Sequence, residues 1–306
     1  MAFFYYLIFP GFAFAAIVGL LTAWFDRKVT ARVQWRKGPP WYQNFADVAK
    51  LLIKEVPVPE TANKGIFLLA PAVALSASAM AAAMLGAANI NWDYTFTGDL
   101  LVLWYILALP SIMIILGASA SGNPLSSIGA SREMNQFIGY ELPLVIAMAT
   151  VVFKVGSVGL GDILRFQAEN GPILYSASGI IACIVAILCL QAKLGLVPFD
   201  IPEAETELGA GAFMEYSGAA LGAFKLTKAI LLYTSPIFII TLFWGGIQVK
   251  GLGILWAILK YVLFIALFTL IRNTNPRLRI DQAVRFFWVN MTILALIALV
   301  LMSLGY

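Results

Sequence analysis

Carboxylates crowd one short stretch of this sequence. In Leu196-Val-Pro-Phe-Asp-Ile-Pro-Glu-Ala-Glu-Thr-Glu-Leu208, the side chains of Asp200, Glu203, Glu205 and Glu207 fall within eight residues, and Glu215 follows shortly after. If the stretch after Pro202 is helical, Glu203 and Glu207 share a face at i, i+4 while Glu205 points elsewhere. Like charges held that close raise one another's pKa, more so where water is partly excluded. Carboxylates tuned in this way hold and pass protons near neutral pH. The competing reading is a solvated acidic loop that docks a partner, and the two readings are compatible.

Other ionisable residues stand in or beside strongly apolar runs: Glu141, Lys225, Lys228 and Lys260. Lys260 lies about nine residues from either end of its run, or about 14 Å at 1.5 Å per residue, which is too far for easy snorkelling. An unpaired charge at that depth costs at least about 2.5 kcal/mol. Lys260 is therefore expected to face the bundle interior, neutral or paired with a carboxylate or carbonyl, and to join a polar axis; a lipid-facing Lys near a displaced boundary is the plainer alternative. Lys225 and Lys228 could join that axis or simply neutralise the acidic loop.

The elements that must position these groups follow from composition. Of 306 residues, 61% are hydrophobic and 12% charged, against about 45–50% and about 25% in soluble domains. Apolar runs of about 20 residues recur with short breaks, which predicts an all-α integral membrane protein of about eight transmembrane helices in a single domain, 1–306. The predicted spans are Phe3 to Phe25, Ile66 to Ala88, Leu100 to Ala120, Leu142 to Val155, Ile173 to Ala192, Gly218 to Trp244, Gly251 to Ile271 and Phe286 to Leu304. The fourth is short, so it is expected to begin nearer Phe137, which brings Tyr140 and Glu141 inside it. In the first long loop, Asn44 to Glu55 puts Asp47, Lys50 and Lys54 on one stripe and Phe45, Val48, Leu51 and Leu52 on the opposite one, the pattern of an interfacial amphipathic helix. Gly38-Pro-Pro-Trp-Tyr42 predicts a turn before it.

Basic residues crowd the loop after span 1, including Arg27, Lys28, Arg32, Arg36, Lys37, Lys50, Lys54 and Lys64, and the loop after span 2 has none. Arg132, Lys193, Arg272, Arg277, Arg279 and Arg285 fall on the same side as the first loop. By the positive-inside rule that side is cytoplasmic and both termini face outward in the cell (inner) membrane. Met1 to Tyr6 lacks the positive start of a cleavable signal, so span 1 is expected to remain. The net charge of +4 then reflects membrane orientation, and nucleic acid is excluded as a partner.

The chain contains no histidine, and its two cysteines, Cys183 and Cys189, lie six residues apart in one run. At about 9 Å along a helix axis they suit neither a disulfide nor a metal pair. The glycines Gly156, Gly159 and Gly161 lack the strand and Lys-Ser/Thr pair of a phosphate loop and predict a turn. No metal and no cofactor is therefore expected in this chain, and redox chemistry would belong to a partner.

Four segments, in order, carry a resemblance: Asp26-Arg-Lys-Val with Gln34-Trp-Arg-Lys-Gly-Pro40, Ala46-Asp-Val-Ala-Lys-Leu-Leu-Ile-Lys-Glu55, Gly129-Ala-Ser-Arg-Glu with Gly139-Tyr-Glu-Leu142, and Pro198-Phe-Asp-Ile-Pro-Glu through Glu215-Tyr-Ser217. They resemble the H subunit (subunit 1) of respiratory complex I and its relatives in membrane-bound hydrogenases. The resemblance implies a heel of the membrane arm without a redox centre, joining a hydrophilic redox module to pumping subunits. It implies that Glu141 and the acidic loop line a channel carrying charge from the redox site toward the membrane axis, with Asp200, Glu203, Glu205, Glu207 and Glu215 on motif positions. Arg27, Arg32, Arg36, Lys37, Arg132 and Glu133 would dock the redox module. Implied partners are hydrogenase-like large and small subunits, an iron–sulfur subunit, and antiporter-like and small membrane subunits, with iron–sulfur clusters and a nickel–iron centre in those partners.

Quinone-reducing members usually carry a longer insert after Gly-Pro, whereas Gly38-Pro-Pro-Trp-Tyr-Gln-Asn-Phe45 runs directly into the amphipathic segment. With Glu133 directly after Arg132, the chain looks more like the ferredoxin-linked hydrogenase branch or the sulfur-reducing complexes. The expected function is a non-catalytic membrane anchor coupling electron transfer to proton or sodium translocation. The rivals are the quinone-site subunit of complex I and, lower, a stand-alone transporter, which inverted repeats would support.

Overall fold

The computed structural model describes residues 6–203, 207, 209–248 and 251–305, and among these there are helices and no strands. Six helices are long and apolar enough to cross a membrane: α3 (Lys64–Ile90), α4 (Asp99–Ala120), α5 (Pro124–Val155), α8 (Gly218–Phe243), α9 (Gly253–Thr274) and α10 (Ile280–Ser303). Two more fill the remaining predicted spans. α1 (Phe12–Val33) carries Asp26, Arg27 and Lys28 in its second half, and α7 (Ala177–Lys193) has 17 residues. The predicted start of span 1 at Phe3 lies outside the described residues.

α8 is the hub, with nearly every side chain from Ala229 to Phe243 buried. α9 and α10 lie outside and keep large apolar faces exposed, among them Leu255, Leu259, Ile293 and Val300, as a bundle in lipid allows because tails are as apolar as leucine. Small residues let the inner helices approach. Ala70, Ala74, Ala77 and Ala81 are buried along α3, and at Gly19 of α1 a Cβ would stand 2.4 Å from the Ala229 carbonyl of α8.

α5 corrects the sequence reading, since it begins at Pro124, well before Phe137, and runs 32 residues. Its start is coded locally: the Asn123 side chain accepts from Leu125 N at 2.8 Å and Pro124 takes the first turn, where its missing N–H costs nothing. Gly156 ends it at φ 77°, the left-handed stop that glycine supplies. At 1.5 Å per residue α5 is about 48 Å long, against about 30 Å of hydrocarbon, so one third projects from the lipid. Arg132 and Glu133 are thus helical.

The amphipathic helix α2 (Gln43–Ile53) forms as expected. Val48 packs against Leu20 and Ala229, and Asn44 Nδ2 donates to the Leu20 carbonyl at 3.0 Å, which moors α2 to α1 and α8. Leu52, expected on the inward stripe, is 61% exposed. The glycine-rich turn after α5 is present, but it leads into an unpredicted helix, α6 (Leu160–Asn170), whose first N–H is taken by Asp99 Oδ1 at 2.6 Å.

Close approach at Gly19 is testable. Gly19→Ala is expected to separate α1 from α8 and to destabilise the detergent-solubilised protein by roughly 1–3 kcal/mol. Gly65→Ala, whose Cβ would meet nothing nearer than 3.6 Å, is expected to leave the thermal midpoint unchanged or slightly raised. Equal midpoints for the two variants would contradict this packing.

Candidate functional site

The loop between α7 and α8 folds over the basic end of the bundle and forms one wall of a cavity of about 510 Å³. The other walls come from α1, α2, α8 and the end of α9, so residues distant in sequence meet here. Each acid on the wall has a basic partner from another element. Asp26 of α1 pairs with Arg272 of α9 and accepts from Thr269 Oγ1 at 2.9 Å. Asp200 meets Arg277 at 2.7 Å, and Glu203, in a 3₁₀ turn (Ile201–Glu203), pairs with Lys228 of α8. Asp47 of α2 stands 3.6 Å from Arg27, whose guanidinium also donates to Asn44 Oδ1 at 2.7 Å.

From this cavity a polar track enters the bundle. Lys228 lies within the electrostatic reach of Asp200 and of Glu133 on α5. Glu133 in turn lies within electrostatic reach of Ser111 of α4, whose hydroxyl is 3.1 Å from the Tyr140 hydroxyl. The Lys193 ammonium sits 5.5 Å from the centre of the fully buried Tyr140 ring. Lys193 forms an ion pair with Glu141 at 2.8 Å, and Trp104 Nε1 donates to the second oxygen of Glu141 at 2.6 Å. Trp104 packs on the exposed Tyr105, at the outer face of α4. Lys193 has a side chain only 2% exposed, and a buried ammonium persists only where a carboxylate and further dipoles replace its water.

The predicted residues divide by location. Asp200, Glu203, Lys228 and Glu141 are joined by the track, and Lys225 is exposed on the cavity rim. Glu133, expected among the docking residues, faces inward, because the α5 helix that begins at Pro124 turns this position toward Ser111 and Lys228. Glu207 pairs with Arg132 at 2.6 Å, so Glu203 and Glu207 serve different bases. Glu215 accepts from Asn123 Nδ2 at 2.5 Å and ties the loop to the start of α5. Arg32, in the last turn of α1, and Arg36 and Lys37, just beyond it, are exposed. Glu205 lies outside the described residues.

Lys260 is half-buried and donates to the Trp244 carbonyl at 2.7 Å, the carbonyl pairing expected of it. Trp244 caps the far end of α8, 16 residues beyond Lys228, or about 24 Å along the helix. The structure thus does not bring Lys260 to the track. Sequence reasoning missed Ser111 and Trp104, named Asp26 only as part of a family segment, and used Lys193, Arg272 and Arg277 only as signs of orientation. One signal was legible: Lys193 is the lone cation ending an otherwise apolar run.

Tyr216 anchors the far side of the loop. It stacks on Phe67 with ring centres 4.2 Å apart, and its hydroxyl donates to the Phe67 carbonyl at 3.1 Å. Burial pushes this phenol above its ordinary pKa, so it stays a neutral donor. Among the described residues no group of three or more His, Cys, Asp or Glu side chains could hold a metal, and Cys183 and Cys189 are free and buried.

Fold and site together define a polytopic membrane protein with a track of ionisable groups leading from a cavity into the bundle. The sequence profile of a family described as NADH dehydrogenase matches residues 6–303. The chain is 37% identical over 291 residues to the H subunit of the NADH-quinone oxidoreductase of Brevibacillus brevis, covering 90% of this chain and 85% of that one. It is likewise 37% identical over 306 residues to the corresponding H subunit of Thermomicrobium roseum, covering 92% and 90%. Among solved structures it matches a chain of the membrane-bound sulfane sulfur reductase, an archaeal respiratory membrane complex, with a TM-score of 0.88, 28% identity and coverage of 98% and 99%. The chain belongs to the NADH dehydrogenase family, among the homologues of the H subunit of NADH-quinone oxidoreductase.

The buried pair makes a sharp prediction. Lys193→Met leaves Glu141 uncompensated and is expected to destabilise the solubilised protein by about 3–5 kcal/mol. The double variant Lys193→Met with Glu141→Gln is expected to recover most of that loss. Thermal unfolding of the three proteins checks this, and additive losses would show that the two groups are not coupled.

Proposed function

We propose that this chain is the non-catalytic membrane anchor of an energy-converting respiratory complex, coupling electron transfer in a peripheral redox module to ion translocation. The observation that supports it most is the track from the paired acids of the cavity through Lys228, Glu133, Ser111 and Tyr140 to Lys193 and Glu141. Charge arriving at the cavity shifts one ion pair, and the change passes to its neighbour without a free charge crossing lipid. The exposed Arg32, Arg36 and Lys37, with Arg27, Arg132 and the acidic loop, form the surface on which a hydrophilic module docks, and that face is cytoplasmic by the positive-inside rule. The partners are an iron–sulfur subunit and hydrogenase-like large and small subunits on that side. Antiporter-like and small membrane subunits lie in the plane, and the iron–sulfur clusters and any nickel–iron centre belong to partners.

Within the family, two features favour the ferredoxin-linked hydrogenase and sulfur-reducing branch. The turn Gly38 to Tyr42 leads directly into α2 with no insert, and the fold matches the sulfane sulfur reductase chain almost end to end. A specific observation also favours the quinone-reducing reading: the curated relatives are H subunits of NADH-quinone oxidoreductases. The intact complex, purified in mild detergent and assayed with suitable reductants, separates the readings. Hydrogen evolution or polysulfide reduction is expected, whereas quinone reduction that quinone-site blockers inhibit would move the chain to complex I.

Coupling has its own test. In the intact complex reconstituted in vesicles, Glu141→Gln and Lys228→Met are each expected to lower the ions moved per electron at least about tenfold while the partner's electron transfer persists. Unchanged coupling in both variants would reduce the acidic groups to a docking role.

A further inference from the structure

At the end of the bundle opposite the acidic loop, an apolar slot of about 270 Å³ lies between α1, α3, α8 and α9. These helices are tied together nearer the middle of the bundle: Gly19 brings α1 onto α8, and the Thr22 and Tyr261 hydroxyls, 2.6 Å apart, join α1 to α9. Beyond those ties the walls are Phe14, Gly86, Ile237, Ala257 and Ile258. The rings of Tyr233 and Tyr261, 6.1 Å apart, form the inner end. Pro10 packs on Gly86, where a Cβ would stand 2.4 Å from it, and shuts one side. Ile254 and Ile258, 45% and 54% exposed, form a rim that faces lipid.

Depth fixes the medium around the slot. Tyr233 stands ten residues before the end of α8 at Phe243, and Tyr261 eight after the start of α9 at Gly253, or about 15 and 12 Å at 1.5 Å per residue. One leaflet of hydrocarbon is about 15 Å deep, half of about 30 Å. The slot thus runs from the membrane boundary to near the bilayer centre. Apolar cavities do not hold water, and a void forfeits dispersion contacts along its walls, so the matter that fills a slot at this depth is hydrocarbon chain. At ~30 Å³ for a water-sized group, it takes about nine methylenes. A helix of a neighbouring subunit, about 10 Å across, is too wide for it.

The mouth has a different character. A second cavity, of about 500 Å³, shares Asn89, Ile90, Ile247 and Gln248 with the slot and adds Asn91, Asp93 and Arg165. Trp92 lines it and is 37% exposed, and amphipathic rings of this kind favour the headgroup level. Arg165 pairs with Asp93 at 2.5 Å and lies 4.0 Å from Asp162. The polar box therefore has no surplus positive charge for an anionic headgroup, whereas a zwitterion offers a phosphate to the guanidinium and an ammonium to the carboxylates.

We propose that slot and box together hold one zwitterionic phospholipid of the leaflet opposite the acidic loop. One of its chains is seated against Tyr233 and Tyr261, and its headgroup lies between Arg165 and Asp93. The chain completes the packing of α1 and α9 against α8 where the contact at Gly19 no longer reaches.

The test uses the intact complex in nanodiscs of phosphatidylethanolamine carrying a photoactivatable diazirine at the end of one chain, with labelled residues read by mass spectrometry. Label on Tyr233 and Tyr261 is expected, and with the diazirine moved beside the glycerol it is expected near Gln248 instead. Ala257→Phe puts a ring into the slot from a wall residue that is 8% exposed. It is expected to lower the label on Tyr233 at least about tenfold, while label on the lipid-facing Leu255 and Leu259 is unchanged. Equal label on Tyr233 in both proteins, or none in the wild type, would overturn the proposal. Loss of the wild-type label on adding a long-chain quinone would overturn it too, by giving the slot to a quinone tail. Phosphatidylglycerol with the same chain is expected to label Tyr233 less strongly, and equal labelling would overturn the headgroup assignment. If Ala257→Phe fails to assemble, the two diazirine positions in the wild type still decide.

Discussion

Lys193 carries its ammonium to a position almost closed to solvent, and the surrounding architecture answers to that burial. An ion of this kind gives up several kcal/mol of hydration, and only a close carboxylate with further donors returns it. Glu141 supplies the carboxylate at 2.8 Å, Trp104 bonds the second oxygen of Glu141, and the Tyr140 ring presents its face to the ammonium. These groups come from α4, α5 and α7, so the three helices must keep one mutual register. Two unit charges about 4 Å apart at an effective dielectric of about 20 interact with about 4 kcal/mol, enough to select that register over a slipped one.

The same rule organises the cavity, with more water and looser pairs. Asp26 with Arg272 joins α1 to α9 across 246 residues of sequence, and Asp200 with Arg277 joins the acidic loop to the segment after α9. Each pair neutralises a charge locally and fastens two elements. Close apolar packing supplies the frame: Gly19 lets α1 touch the backbone of α8, and α2 lies in the angle between them. Without that contact the walls bearing Asp26 and Lys228 would stand apart.

Much of this frame was legible in the sequence, because a bilayer imposes length and apolarity on every span. The amphipathic stripe of α2 and the stop at Gly156 were equally plain, being local signals. Lys260 could be assigned a carbonyl or carboxylate partner from depth alone, though not the Trp244 carbonyl in particular. The start of α5 was hidden, because Arg132, Glu133, Asn135 and Gln136 break the apolar run where the helix leaves lipid. Pairings such as Asp26 with Arg272 were not legible, since nothing local in either segment names the other. The inward position of Glu133 was not legible for the same reason: its neighbour in sequence, Arg132, is near the surface, but one residue is about 100° around a helix, and that turn carries Glu133 inward.

Pairing also decides what kind of conductor the track can be. A row of unpaired acids would repel an electron-rich partner and bind any cation tightly enough to hold it. A row of closed pairs alone would be inert. Here strong pairs, Glu203 with Lys228 and Glu141 with Lys193, alternate with neutral hydroxyls at Ser111 and Tyr140 and with Glu133, which no ion pair closes within 4 Å among the described residues. On the proposed function, a charge placed at the cavity would open the first pair, and Lys228, released from Glu203, would have Glu133 as its next partner. Each exchange would trade one attraction for another, so that no bare ion is carried through hydrocarbon.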